Sequence, residues 1–212
     1  MAGTITSVEV QARNPRRVNV HLDGAYAFPL SMEVAVQAGL ARGMVLSDER
    51  IGELGAQDTW QKTYNAALNF LSFRPRSEDE VRHYLDRRKV LPDLRERMVA
   101  RLKESKLLDD EAFARFWVEN REAFSPRSSR ALRLELRSKG IDDGTIAGVI
   151  SGDDAEAAHR AGLKKMRLLA SADRETFRRK LLPFLQRRGF GYETAREAVD
   201  RLWREREDDT NA

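Results

Sequence analysis

A chain of 212 residues without one cysteine can build neither a disulfide framework nor a thiolate metal site. Its 38 Lys and Arg against 34 Asp and Glu leave a net charge of +4, a mild bias in a chain dense with charge. No stretch approaches the roughly 18 apolar residues of a membrane-spanning helix, and the start, MAGTITSVEV, has no basic stretch followed by an apolar run. A soluble, cytoplasmic protein without membrane contact is therefore expected. Most of the cations are arginine, whose planar fork suits carboxylate and phosphate alike. Such a surface suits nucleic acid or an acidic protein face, although solvated helices laced with ion pairs fit the charge equally well.

The first residues read as strands. ITSVEVQAR alternates at Ile5, Val8 and Val10 with one phase slip, NPRR turns, and VNVHLDG alternates through Val18, Val20 and Leu22. Asp23-Gly24 then signals a hairpin into AYAFPL. The expectation is a three-stranded antiparallel sheet, too small to stand alone. SMEVAVQAGL, capped by Ser31 and stopped at Gly39, supplies a covering helix, and another helix starts near Ser47. Residues 1–56 form this N-terminal domain.

From residue 57 the pattern turns helical, and three units of three helices can be laid over one another at 57–108, 109–152 and 153–206, followed by an acidic tail at 207–212. The overlay is plainest between PRSEDEVRHYLDRRKV at 75–90 and PRSSRALRLELRSKGI at 126–141, which lie 51 positions apart; TFRRKLLPFLQRRGF at 176–190 is a weaker third copy. The fold class expected is mainly α: tandem three-helix repeats in an elongated array, preceded by the small β-sheet and helix. Ser77 with Glu80 forms a capping box at the start of one second helix. Gly140 and Gly189 end the other two, where a left-handed residue is needed. Pro183 falls inside the third copy and is expected to kink or split its helix.

On the second helices Val81, Tyr84 and Leu85, then Leu132 and Leu136, then Leu181, Phe184 and Leu185 make apolar stripes. These should pack on first-helix residues such as Leu68, Leu71, Phe113, Phe116 and Trp117. The cations lie opposite. Arg130, Arg133 and Arg137 share one face at i, i+3, i+7; Arg82 matches Arg133, and Arg88 matches Lys139. The third unit adds Arg178, Arg179, Lys180, Arg187 and Arg188. Stacked units would align these rows into a basic track suited to a long polyanion, unless neighbouring acids such as Glu78, Asp79, Asp86 and Glu135 neutralise them.

Catalytic signals are thin. GxxxxGK[ST], HExxH and GxSxG are all absent, and His21, His83 and His159 are too scattered for a metal triad. Asp109-Asp110-Glu111 and Asp153-Asp154 look like nuclease acids, but both open helices, where acids complement the dipole and cap free amides. No catalytic residue, metal or cofactor is expected.

LNFLSFRPRSEDEVRHYL, LLDDEAFARFWVENR, LELRSKGI and LLPFLQRRGF, in this order and spacing, resemble the RecX regulatory proteins of bacteria over roughly residues 60–206. The sheet ahead of them is similar to an N-terminal extension that some members carry. The resemblance implies a non-catalytic protein that binds the RecA recombinase, mainly as its filament on single-stranded DNA, and lowers its ATPase and strand-exchange activities. Carried onto this chain, it makes Arg76, Arg82, Arg88, Arg127, Arg130, Arg133, Arg137 and Lys139 the contacts, with Arg178, Arg179, Lys180, Arg187 and Arg188 at the far end. They would meet acidic groups of RecA or phosphates of single- or double-stranded DNA. A monomer is expected. The rival readings are a direct helical DNA-binding protein or repressor and a nuclease that uses the acid pairs.

Overall fold

The computed structural model describes residues 2–211, with side chains as far as Asp208. Strands β1 (Gly3–Gln11), β2 (Asn14–Leu22), β3 (Ala25–Ser31) and β4 (Val45–Leu46) form an antiparallel sheet in the order β3-β2-β1-β4. The sheet thus has a fourth strand beyond the three expected. Its two residues pair only with Gly3 and Thr4, too few to leave an alternation in the sequence. The phase slip in β1 is a shift of register between Ile5 and Ser7. It returns Val8 and Val10 to the same face as Ile5, opposite Val20 and Val18.

Helix α1 (Met32–Gln37) is capped by Ser31, whose Oγ accepts from the Val34 amide at 3.4 Å. It buries Val34 and Ala35 on Ile5, Val18, Val20, Leu22 and Leu30. Helix α2 (Asp48–Ser72), capped by Ser47, adds Leu54 to the same core. Asp58 of α2 is also buried: its Oδ1 accepts from the Ser31 amide at 2.7 Å, while Lys62 and Arg17 reach its Oδ2 at 2.6 and 3.5 Å. Burial alone would raise the pKa of this carboxyl. The bonds from Lys62 and Ser31, with the charge of Arg17, overcome that and hold it below its usual value. The boundary drawn at 56/57 falls inside α2, which runs unbroken across it because Gly52 and Gly55 lie within the helix rather than ending it.

The chain forms two compact units. The first runs to Arg74 and includes Val81–Leu102; the second takes Pro75–Glu80 and the chain from Lys103 onward. Helices α3 (Glu78–Arg87) and α4 (Pro92–Glu104) follow α2. The next three are α5 (Asp110–Phe124), α6 (Ser129–Arg137) and α7 (Asp143–Val149). Then α8 (Asp154–Met166) passes through a 3-10 turn at Arg167–Leu169 into α9 (Arg174–Arg187) and α10 (Tyr192–Asn211). The acidic tail expected at 207–212 lies partly outside the described residues, and α10 continues into it. No described helix is long and apolar enough to cross a membrane.

The second helices α3, α6 and α9 bury equivalent pairs: Val81 and Leu85, Leu132 and Leu136, Leu181 and Leu185. Each such side chain is worth about 1.5–3 kcal/mol against exposure. Leu132 and Leu136 sit in one core with Phe113, Val118, Ile141 and Ile146. Leu181 and Leu185 sit in another with Ala158, Ala161, Phe177 and Leu202. Of the first-helix residues expected beneath the stripes, Phe113 is buried, whereas Leu68, Leu71, Phe116 and Trp117 are half-buried; Ala67 is the buried apolar residue of α2 nearest its end. Tyr84 stacks on Phe70 at 4.1 Å and donates to the Ala66 carbonyl at 3.1 Å. Pro183 does not split α9. The carbonyl it cannot serve belongs to exposed Arg179, where water can take its place.

Candidate functional site

The second helices carry the candidate cations, and their ends are built by a repeated device. Ser77, Ser128 and Asp173 cap α3, α6 and α9, accepting from the amides of Glu80, Ala131 and Thr176 at 3.2, 3.1 and 2.7 Å. A second acceptor comes from the next repeat. Asp110 Oδ1 takes the Glu78 amide at 2.8 Å, and Asp154 Oδ1 takes the Ser129 amide at 2.7 Å and its hydroxyl at 2.8 Å. Asp109 and Asp153 cap their own helices α5 and α8. Each acid pair therefore closes two helix starts at once, one in its own repeat and one in the repeat before.

Within the second unit the end of each second helix docks on the start of the one before. A Cβ on Gly189 would lie 2.5 Å from Ser128 Oγ and 2.7 Å from Ala131 Cβ, and one on Gly140 would fall on Asp79. The Ser128 amide donates to the Arg188 carbonyl at 3.2 Å. Arg188 donates through Nη1 to Ser125 Oγ at 2.9 Å and to the Pro126 carbonyl at 3.1 Å, and its guanidinium lies over Phe184 at 4.6 Å. Burial, with Arg127 and Arg121 close by, lowers its pKa. Lys139 does the same job one repeat earlier, reaching Glu80 at 2.8 Å while resting over Trp117.

These contacts divide the thirteen cations. Lys139 and Arg188 are clasps between repeats. Arg127 Nε faces Glu135 Oε1 at 2.8 Å, and Trp117 and Arg121 reach Oε2 of the same carboxylate, each at 2.8 Å. Arg127 is thereby tied into the second repeat. Arg82 pairs with Glu96 at 3.1 Å, Arg88 lies over Tyr84 at 4.7 Å, and half-buried Arg76 is engaged within the fold. Arg137 meets Asp143 at 2.7 Å, but both side chains are largely exposed, so solvent screens the pair. Arg130, Arg133, Arg178, Lys180 and Arg187 are exposed and have no hydrogen-bond or ion-pair partner among the described residues; exposed Arg179 feels the charge of Asp173.

Aligned on the buried stripes, the row is not repeated. Where the second repeat has Arg130, Arg133 and Arg137, the first has Asp79, Arg82 and Asp86, and the third has Arg179, Leu182 and Gln186. The three-arginine face belongs to α6 alone.

A second recurring feature is apolar. Phe73 and Phe124 each stand four residues ahead of a capping serine, and they are 74% and 73% exposed; Leu168, five ahead of Asp173, is 75% exposed. Periodicity assigns aromatics to the core and passes over these. The signal that finds them is the shared spacing of Phe before Pro-Arg-Ser.

The comparisons with known proteins agree with this architecture. Residues 3–47 match the N-terminal domain of regulatory protein RecX, and 64–102, 109–150 and 152–199 match the first, second and third RecX three-helix domains. Regulatory protein RecX of Bacillus subtilis is 33% identical over 210 residues, covering 97% of this chain and 80% of that protein. The chain belongs to the RecX family. Regulatory protein RecX of Clostridium perfringens is 30% identical, covering 94% of this chain and 96% of its own. A crystal structure of regulatory protein RecX superposes with a TM-score of 0.67 at 26% identity, over 93% of this chain and 99% of that one. The crystal structure of RecX from Lactobacillus salivarius gives 0.56 at 25% identity, over 69% and 97%. The fold class is thus mainly helical, with three three-helix domains that follow a small antiparallel sheet along the chain, and a regulatory role follows from the family.

Proposed function

We propose that this protein is a non-catalytic regulator of the RecA recombinase, a cytoplasmic monomer that binds RecA chiefly as its filament on single-stranded DNA. It lowers ATPase and strand-exchange activity there, and so modulates recombinational repair and the SOS response. The observation that carries the reading is the α6 row: among the described residues, Arg130 and Arg133 are exposed and have no hydrogen-bond or ion-pair partner, and Arg137 meets only an exposed carboxylate. Of the neighbouring cations, Lys139 and Arg188 are already committed to holding the repeats together, and Arg82 and Arg127 to ion pairs within a repeat. Guanidinium groups at this spacing suit a line of carboxylates or phosphates. Exposed Phe124 closes the helix just before α6 and offers an apolar anchor of the kind that dominates interface energetics. Several contacts in one chain gain from effective concentration when the partner is itself periodic.

The test is RecA ATP hydrolysis on single-stranded DNA during titration with this protein. Hydrolysis is expected to fall at well below one molecule per RecA protomer. Unchanged hydrolysis, together with salt-sensitive binding to bare DNA in the same buffer, would overturn the reading in favour of a direct DNA-binding protein.

A further inference from the structure

The N-terminal sheet is incompletely closed along one edge. β4 pairs with Gly3 and Thr4, and Met44 and Gly43 extend that pairing to Ile5. There the chain turns away at Gly43, whose φ is 89°. From Ser7 to Gln11, β1 pairs only with β2, and no described strand lies on its other side. Beside this edge runs a groove of about 460 Å³ lined by Val8, Val10, Val18, Ala35, Val36 and Leu40. Helix α1 is too short to fill it, and Val10 and Val36 are 55% and 70% exposed.

Two unmet needs therefore coincide: a row of unpaired backbone groups, and apolar surface left in water. An extended strand meets both, because its backbone continues the ladder and alternate side chains drop toward the groove. Edge strands are commonly blunted by lysine, proline or a bulge. Here one register shift precedes the open stretch and a second falls at its far end, between Val10 and Gln11, so that Ser7–Val10 runs in unbroken register, and Ser7–Gln11 holds neither lysine nor proline.

We propose that the β1 edge from Ser7 to Gln11 is a strand-addition site for an extended segment of another protein. That segment carries apolar residues at alternate positions and a carboxylate beyond them. The carboxylate is assigned from Arg16, exposed and without a side-chain partner among the described residues, on a groove that continues past Met32 and Val36 and that Glu33 also lines. A second copy of this chain fits less well: antiparallel self-pairing centred on the open stretch sets Glu9 opposite Glu9, and like charges directly opposed are destabilising. The inference does not depend on the reading of the α6 row.

The experiment is amide hydrogen exchange on the full chain, with a synthetic peptide of alternating valine and threonine ending in aspartate as the probe. Amides of the β1 edge should exchange at least about tenfold more slowly with the peptide present. The effect should vanish when the peptide is N-methylated at alternate residues, and weaken at least about tenfold in affinity for Val10→Lys, a change at an exposed position. No protection with millimolar peptide would overturn the proposal, as would equal protection by the methylated peptide. Protection that rises with protein concentration alone, with a dimer in sedimentation, would overturn it in favour of self-pairing.

Discussion

The second helix of the first repeat and those of the later two end in the same backbone conformation but on different residues. Lys89, Gly140 and Gly189 occupy equivalent places with φ of 59°, 78° and 92°. Left-handed geometry favours glycine at all three, at a cost of about 1 kcal/mol for another residue, yet one repeat accepts lysine. The difference lies in what docks. Gly140 and Gly189 lie against the start of the preceding second helix and have no room for a Cβ, whereas exposed Lys89 has no preceding repeat to meet. The neighbouring position varies in step: Lys139 and Arg188 reach back across the junction, and Arg88 rests on Tyr84 of its own helix. A recurring glycine or cation in this array marks a junction, and its first copy is released from that duty.

Of these junction positions Gly189 is the most sensitive to substitution. Gly189→Ala combines a left-handed alanine with a Cβ driven into Ser128 and Ala131. It should cost about 3 kcal/mol in urea unfolding of the second unit; a loss near 1 kcal/mol would mean that φ alone demands the glycine. Asp154→Ala removes the acceptor shared by the Ser129 amide and hydroxyl and should cost about 1–2 kcal/mol in the same assay. Lys89→Gly should move the other way, raising stability by about 0.5–1 kcal/mol through relief of the left-handed lysine. A loss there would show Lys89 to have a packing role.

The caps of the second helices differ in their response to pH. Asp173 caps α9 where Ser77 and Ser128 cap α3 and α6. The Thr176 amide, with its side chain, holds the Asp173 carboxyl below its usual value. A depressed carboxyl stabilises the fold above its unfolded pKa of about 3.9, and that contribution is lost as pH falls through the lower folded value. Acidification below about pH 4 should therefore loosen the start of α9, and Asp173→Ser should remove this part of the pH dependence from amide exchange.

How much of this was legible in the sequence follows from how local each feature is. The β1 phase slip, the Ser31 and Ser77 caps, the buried stripe pairs and the glycine stops all depend on neighbours within a few residues. The continuity of α2 was hidden because Gly52 and Gly55 resemble a stop. The roles of Lys139, Arg188, Asp110 and Asp154 were hidden for a deeper reason. Each acts on a residue 25 to 63 positions away, across a junction that periodicity does not describe. The candidate cations therefore look alike in the sequence, although Lys139 and Arg188 are spent on junctions between repeats and Arg76, Arg82, Arg88 and Arg127 on contacts within the fold.

The division of cations into junction clasps and a free row carries the functional reading. It is tested most directly by measuring two variants side by side for urea unfolding and for inhibition of RecA ATPase: Arg130→Ala/Arg133→Ala/Arg137→Ala, and Lys139→Ala/Arg188→Ala. The row variant should keep the parent's unfolding midpoint, with inhibition weakened at least about tenfold, or 1.4 kcal/mol. The clasp variant should unfold at a lower midpoint. Full inhibition by a well-folded row variant, or a clasp variant as stable as the parent, would contradict that division.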